Sequence, residues 1–150
     1  MKKAIIIFLL LTIISKIEAS DNTNKKFALT AGNIYIGAKY NFIQRFSIEL
    51  RSAFDNGVLC SLGRLNCIFW KIKKLNSFIG FEYGYILFNY ENISGKGYVV
   101  SPFIGAEYFL KEKFSVGTDI GYSIINLKSK NFSINGPEII LNFGVNYYLF

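Results

Sequence analysis

The sequence predicts an all-β protein: a transmembrane, antiparallel, up-and-down β-barrel of eight strands. Apolar residues recur at every second position in segment after segment, which is the period of a strand with two different faces. These segments run for about 9 to 15 residues, longer than soluble strands usually are and long enough to cross a bilayer at a tilt. The second face carries glycines with single charged residues among them, as a narrow enclosed interior requires.

The composition excludes several classes of protein. A length of 150 residues allows one domain, and a mean hydropathy of +0.30 with 51% hydrophobic residues excludes a disordered chain. The sequence contains no His, which excludes Ser-His-Asp triads and most zinc and haem sites. Its 17 basic residues are scattered rather than gathered on one face, so nucleic acid is not an expected partner. We expect neither an enzyme nor a cofactor.

The N-terminus has the layout of a secretory signal peptide. Lys2 and Lys3 form a basic start, residues 4–14 are almost entirely apolar, and a more polar stretch ends at Ala19. The apolar run is shorter than the roughly 20 residues that a membrane-spanning helix needs. We expect residues 1–19 to be cleaved off, residues 20–26 to form a short N-terminal segment and residues 27–150 to form the barrel domain.

The strands follow one another along the barrel domain. In six segments, large apolar side chains alternate with small or charged ones: residues 33–42, 46–54, 79–87, 98–110, 114–124 and 139–147. Residues 58–72 form a further strand. Single-chain bacterial barrels have even strand numbers, so we expect a short first strand at residues 25–30 that turns at residues 31–33.

An alternative strand count splits residues 58–72 at Gly63-Arg64. It leaves one strand of only about five residues, shorter than a normal span, so the short first strand is preferred. Cys60 and Cys67 distinguish the two counts. On one continuous strand they lie roughly 23 Å apart and cannot bond. A turn at Gly63-Arg64 would let them face each other and form a disulfide in an oxidising periplasm.

The connections alternate in character. Short ones, as periplasmic turns are, fall at residues 43–45, 73–76 and 111–113. Segments rich in Gly, Asn and Ser, as outward loops are, fall at residues 55–57, 91–97 and 129–136. The strongest local turn signal is Asn56-Gly57.

Charged residues on the inner face are the candidate functional residues. They are Lys39, Glu49, Arg51, Glu82, Glu107 and Asp119, with Arg64 less clearly placed. Buried charges persist only when they are paired, so these residues predict a salt-bridge network that plugs the barrel. A gated polar path for small ions is the functional alternative. No residue is predicted to be catalytic, to bind a cofactor or to ligate a metal.

Two stretches resemble a known family. Residues 142–150 look like its terminal strand, and residues 104–110, followed closely by residues 114–116, look like its repeated hairpin. The chain over residues 27–150 thus resembles the small outer-membrane barrels that include OmpX and the transmembrane domain of OmpA. The resemblance implies that Tyr148 and Phe150 belong to the signal read by the barrel-assembly machinery.

The alternation of side chains along this terminal strand leads to a further expectation. Tyr148 and Phe150 fall on the opposite parity to Val145 and Tyr147. A β-bulge near Asn146 is therefore expected, because it would keep the apolar side of the strand outward.

Together these patterns predict a non-enzymatic, integral outer-membrane protein, exported by its signal peptide, with a plugged polar interior and short surface loops. Its role would be structural or one of surface interaction, and outer-membrane lipid, lipopolysaccharide and the assembly machinery would be its partners. Two alternatives stay open: a porin-like channel for small solutes, and a soluble periplasmic barrel of lipocalin type with its apolar face inward. The sequence identifies no ligand, surface partner or oligomeric state.

Overall fold

Eight β-strands make up nearly all of the described chain. The computed structural model describes residues 27–90 and 93–149. The strands are β1 (Phe27–Gly32), β2 (Tyr35–Ile43), β3 (Phe46–Asp55), β4 (Val58–Ile72), β5 (Leu75–Tyr90), β6 (Ile93–Lys111), β7 (Phe114–Ser129) and β8 (Ser133–Tyr148). The predicted signal peptide at residues 1–19, the segment at residues 20–26 and Phe150 lie outside the described residues. Within those residues, no helix has the length and apolar character needed to span a membrane.

The strands close into a barrel in which each pairs with its neighbours in sequence and β1 pairs with β8. Every pairing is antiparallel. The predicted all-β, up-and-down architecture of eight strands is confirmed. Residues 25 and 26 of the expected first strand lie outside the described residues. The turn after this strand falls at residues 33–34 rather than 31–33, because the pairing of β1 with β2 continues to Ala31 opposite Ile36.

The strand β4 is continuous, so the alternative split at Gly63-Arg64 is wrong. Arg64 pairs with Glu49 on β3 and with Glu82 on β5, and Gly63 is paired on both sides as well. The two neighbouring ladders hold this part of the backbone extended. The local sequence Gly63-Arg64 is compatible with a turn, and pairing with β3 and β5 decides that it is strand.

The two cysteines lie on this one strand and are both free thiols. Their odd separation along β4 directs Cys60 to the inner face of the sheet and Cys67 to the outer face. The disulfide that the split strand would have allowed is therefore absent.

The connections are shorter than predicted. The residues between strands are Gln44-Arg45, Asn56-Gly57, Lys73-Lys74 and Glu112-Lys113 at four of the turns. The loops predicted at residues 91–97 and 129–136 are largely strand, since pairing runs on to Tyr90 opposite Ile93 and to Lys128 opposite Ser133. Polar side chains do not prevent this pairing, because the ladder is formed by the backbone.

The turn at Asn56-Gly57 has the backbone that its sequence predicts. Asn56 has a φ of 31° and Gly57 a φ of 82°. Both values lie in the left-handed region that favours Gly and Asn, and two such residues make the tight hairpin turn that matches strand twist.

The wall of the barrel is uneven in height. The strands β1 to β3 have 6 to 10 residues, whereas β4 to β8 have 15 to 19. As a result β8 pairs with β1 only over residues 144–148. In the described part of the chain, residues 133–142 of β8 pair with β7 alone. We call the gap between these residues and the β1–β2 hairpin the side notch.

The two faces of the barrel differ in chemistry. Large apolar side chains cover the outside, with Ile36, Leu50 and Ile139 exposed by 62%, 64% and 70%. The charged residues on the other parity are buried inside. The barrel therefore carries its hydrophobic residues outward, the reverse of a soluble globular protein.

Candidate functional site

The barrel interior collects the charged residues from six successive strands. The buried charged side chains are Lys39 on β2, Glu49 and Arg51 on β3, Arg64 on β4, Glu82 on β5, Glu107 on β6 and Asp119 on β7. Their strand positions bring them together, because each points inward from a strand paired with the next. All six predicted residues lie in this group.

Opposite charges stand directly opposite each other across three neighbouring ladders. Lys39 on β2 is the register partner of Glu49 on β3, which in turn is the partner of Arg64 on β4. Arg64 is then the partner of Glu82 on β5. Such cross-strand pairs are the closest side-chain neighbours in a sheet, so the sign of the charge alternates around this part of the wall.

The first cluster surrounds Glu107. Its Oε2 atom lies 2.9 Å from the Lys39 ammonium. Its Oε1 atom accepts hydrogen bonds from Ser115 (2.6 Å), Asn146 (2.7 Å) and the Tyr148 hydroxyl (2.8 Å). Glu107 is 2% exposed. A carboxylate withdrawn from water this completely needs both a cation and hydrogen-bond donors, and this cluster supplies both.

The second cluster surrounds Arg64, which is 1% exposed. Its Nε atom lies 3.1 Å from Glu82 Oε2, its Nη2 atom 3.0 Å from Asp119 Oδ2 and its Nη1 atom 4.0 Å from Glu49 Oε2. The planar guanidinium presents donors in several directions, so one Arg side chain connects three strands. Phe103 lies under its face, with 3.8 Å between Cζ and the ring centroid.

Arg51 extends this cluster. It donates from Nε to Glu49 Oε1 (2.7 Å) and from Nη2 to Glu49 Oε2 (3.2 Å), which is a two-pronged contact. Its guanidinium stacks on Tyr35 at 3.8 Å from the ring centroid. The Tyr35 ring in turn lies against Gly32 and Gly144, where an added Cβ atom would collide with it. These glycines make room for the stack between β1 and β8.

The space left inside the charged region is very small. A void of about 20 Å³ lies among Lys39, Glu49, Arg64, Glu107 and their neighbours. That volume is comparable to the roughly 10 to 15 Å³ needed to hold one water molecule. The charged side chains themselves therefore fill this level of the barrel.

Sequence reasoning placed Arg64 less clearly than the other charged residues and missed the neutral members of the site. The apparent turn at Gly63 obscured Arg64, although its parity on a continuous strand points inward. The neutral partners Ser115, Asn142 and Asn146 carry no charge to mark them. Asn142, for example, donates a hydrogen bond of 2.8 Å to Asp119. An inward parity shared with the charged residues is the signal that would have found them.

The expected β-bulge near Asn146 is wrong. The register of β8 runs without a shift against β7 up to Tyr147 and against β1 from Gly144 to Tyr148. Tyr148 consequently points into the barrel and is 2% exposed. The phenolic hydroxyl of Tyr148 donates a hydrogen bond to Glu107 in the interior. An aromatic side chain that points inward is therefore stabilised there, and no bulge is needed to turn it outward.

The described residues offer no evident metal site. No group of three or more His, Cys, Asp or Glu side chains within residues 27–90 and 93–149 is placed to hold a metal ion. In the charged clusters the carboxylate oxygens face arginine, lysine, amide and hydroxyl donors instead.

Comparison with known proteins places the chain in a family. A family model described as "Putative MetA-pathway of phenol degradation" matches residues 5–150, which is nearly the whole sequence. No curated protein matches the chain significantly. The chain, which folds as a closed eight-stranded barrel, therefore belongs to the family of that description.

Proposed function

We propose that this protein is a non-enzymatic, integral outer-membrane β-barrel whose charged interior seals it against the passage of solutes. The observation that carries the proposal is the combination of a closed barrel, an apolar exterior and an ion-paired interior. In lipid every backbone hydrogen bond must close within the protein, and a closed barrel satisfies that requirement with its apolar side chains outward.

The spacing of outward tyrosines on β6 supports a membrane location. Tyr98 and Tyr108 are both exposed and stand ten residues apart on that strand. At about 3.3 Å per residue and a tilt of 35 to 45°, ten residues cover roughly 23 to 27 Å along the membrane normal. Outer-membrane barrels have an apolar band of about 25 Å between two aromatic girdles, so the spacing fits.

The residues between these tyrosines complete the band. The outward side chains in between are Val100, Pro102, Ile104 and Ala106. Ile104 lies opposite Ile120 on β7, and both side chains are about half exposed. An uninterrupted apolar surface of this kind is unfavourable in water and favourable against lipid chains.

Fractionation tests the proposal directly. Detergent-extracted outer membranes containing the protein would be run in dodecyl sulfate with and without boiling. We expect the unboiled protein to migrate differently from the boiled one. A barrel that is closed by the pairing of its first and last strands resists cold detergent. Recovery of the protein in the soluble periplasmic fraction would contradict the proposal and favour a lipocalin-type barrel. The outward apolar face speaks against that alternative.

A porin-like channel for small solutes is the second candidate, and the charged interior is the observation that favours it. The charged clusters leave a void of only about 20 Å³, so we expect no steady conductance from folded protein in planar bilayers. Reproducible conductance steps of one size would establish the channel instead.

The same packing supports a non-enzymatic role. General acid–base catalysis needs a carboxyl group within reach of a bound substrate. Glu107 and Asp119 are instead held by protein donors, and the small void around them leaves no room for a substrate. The family description refers to phenol degradation, and within that setting we propose a role at the membrane rather than in the chemistry of the ring.

The likeness to OmpA and OmpX extends, in this proposal, to assembly. Outer-membrane lipid and lipopolysaccharide would surround the apolar band, and the barrel-assembly machinery would read the terminal strand. Because Tyr148 is buried in the folded barrel, any such reading of this residue would precede closure of β8 onto β1.

A further inference from the structure

The interior changes character toward the loop end that carries the β5–β6 and β7–β8 connections. Beyond the charged clusters, the inward side chains of five strands are apolar: Leu62, Ile86, Val99, Ile125 and Ile140. They line a cavity of about 130 Å³, with Tyr35, Arg51, Glu82 and Asn142 at its polar end. We call this cavity the upper chamber.

The charged clusters already close the barrel at their own level, so the large apolar side chains of the upper chamber are not required for that seal. Ile86 and Val99 are buried, with exposures of 8% and 4%. A cavity of about 150 Å³ lined by Leu, Ile and Phe stays free of water and takes up benzene. The upper chamber is close to that volume and most of its lining is of the same kind, so a six-membered hydrocarbon ring matches its size and the polarity of its apolar part.

An aromatic pair lies beyond the chamber at the loop end. Phe88 follows Ile86 on the inner face of β5, and its ring stacks on Phe132 with 6.0 Å between centroids. The pair partly covers the inner space on this side. A ligand that arrives through water from the loop end would have to pass it.

The side notch offers another route. The last backbone hydrogen bond on this side runs from Asn33 N–H to the carbonyl of Phe143, and residues 133–142 of β8 have no partner on the β1 side among the described residues. Residues 135–142 of the notch pair through β7 with residues 98–105 of β6, a stretch that starts at Tyr98 and ends before Tyr108. Most of the notch thus lies at the level of the proposed apolar band.

Apolar side chains line part of the notch on both sides. Ile139 and Leu141 point outward and are exposed, whereas Ile140 between them points inward and lines the chamber. Ile34, in the β1–β2 turn across the notch, also lines the chamber and is 52% exposed. These four residues connect the apolar outside of the barrel with the chamber, and the polar residues Glu138 and Asn142 flank them on β8.

We propose that the upper chamber is a binding site for one small uncharged hydrocarbon ring, which enters sideways from the lipid through the side notch. The route of entry rests on the proposed membrane location, whereas binding in the chamber does not. The charged clusters close the other end, so the chamber holds such a molecule without conducting water or ions.

Binding is tested with fluorobenzene and the folded protein in detergent micelles, followed by ¹⁹F NMR. We expect a bound signal that empty micelles lack. Ile140→Trp fills the chamber and should weaken binding at least about 10-fold, or about 1.4 kcal/mol. Ile139→Trp, the adjacent outward change on the same strand, is the matched control and should leave the affinity within about twofold.

Both variants would first be checked for the heat-dependent mobility shift, so that a loss of binding is read only on folded protein. If Ile140→Trp does not fold, Ile125→Phe fills the same chamber from β7. Partitioning of fluorobenzene equal to that of empty micelles, or equal losses in the inner and outer variants, would overturn the binding site. The mobility shift of the wild type reports separately on the barrel.

The entry route has its own readout. Leu141→Trp places a larger side chain on the outer rim of the notch, away from the chamber lining, and should slow exchange of fluorobenzene several-fold while the equilibrium affinity changes little. An unchanged exchange rate in a variant that still binds would overturn the lateral route. Displacement of fluorobenzene by detergents of increasing chain length, but not by cyclohexane, would identify an acyl chain as the occupant and contradict the proposed ligand class.

Discussion

The hydroxyl of Tyr148 donates a 2.8 Å hydrogen bond to Oε1 of Glu107 in the barrel interior. The contact joins the end of β8 to β6, two strands away, close to the seam where β8 meets β1. Phe109 packs against the same tyrosine, with 5.4 Å between ring centroids. The last strand is thus held from inside as well as by its two ladders.

Tyr148→Phe tests this contact. The change removes one hydrogen bond to a charged acceptor, which typically contributes about 1.5 to 3 kcal/mol, while the ring packing stays. We expect the free energy of unfolding in micelles, measured by urea titration, to fall by that amount. Tyr147→Phe, which alters a half-exposed outward tyrosine, should change it by less than about 0.5 kcal/mol. Equal losses would mean that the inward hydroxyl contributes nothing specific.

The pair of Lys39 and Glu107 should show strong coupling. Lys39→Met leaves the buried carboxylate without its cation and should cost about 3 to 5 kcal/mol of unfolding free energy. Adding Glu107→Gln removes the stranded charge, so the double variant should lose less than the sum of the two single losses. A double-mutant cycle by urea unfolding measures the difference, and strict additivity would contradict the ion pair.

Arg64→Met should be among the most damaging single changes inside the barrel. It leaves Glu49, Glu82 and Asp119 near one another with Arg51 as the neighbouring cation. We expect a loss of about 3 to 5 kcal/mol at pH 8. Lys96→Met, which removes an exposed charge, should cost under about 0.5 kcal/mol.

An arginine placed on the outer face should report on membrane depth. Ile120 lies in the middle of the apolar band, opposite Ile104, whereas Ile134 lies near the loop end of β8. Both are about half exposed. Ile120→Arg should cost about 2 to 4 kcal/mol for folding into bilayers, and Ile134→Arg about 0 to 1 kcal/mol. Equal small effects would indicate that the outer face meets water.

Much of the fold could be predicted because its signal is local. In a strand, side chains alternate between two faces, so the parity of Lys39, Glu49 and Asp119 against their apolar neighbours placed them on the inner face before any pairing was known. The same parity predicted the outward position of Ile120. Partner choice is not local, and no rule of spacing says that Glu107 rather than Glu82 meets Lys39.

The sequence by itself determined the period of two and the opposition of an apolar and a charged face, whereas the even strand number usual in single-chain barrels favoured a short first strand. Only the tertiary structure decided where the backbone hydrogen bonding between neighbouring strands continues and where it stops. Paired neighbours keep Gly63-Arg64 extended, the interior acceptor at Glu107 takes up Tyr148 without a bulge, and the short β1–β2 hairpin opens the side notch. Backbone hydrogen bonds and buried charges join residues far apart in the chain, so their partners are settled only when the barrel closes.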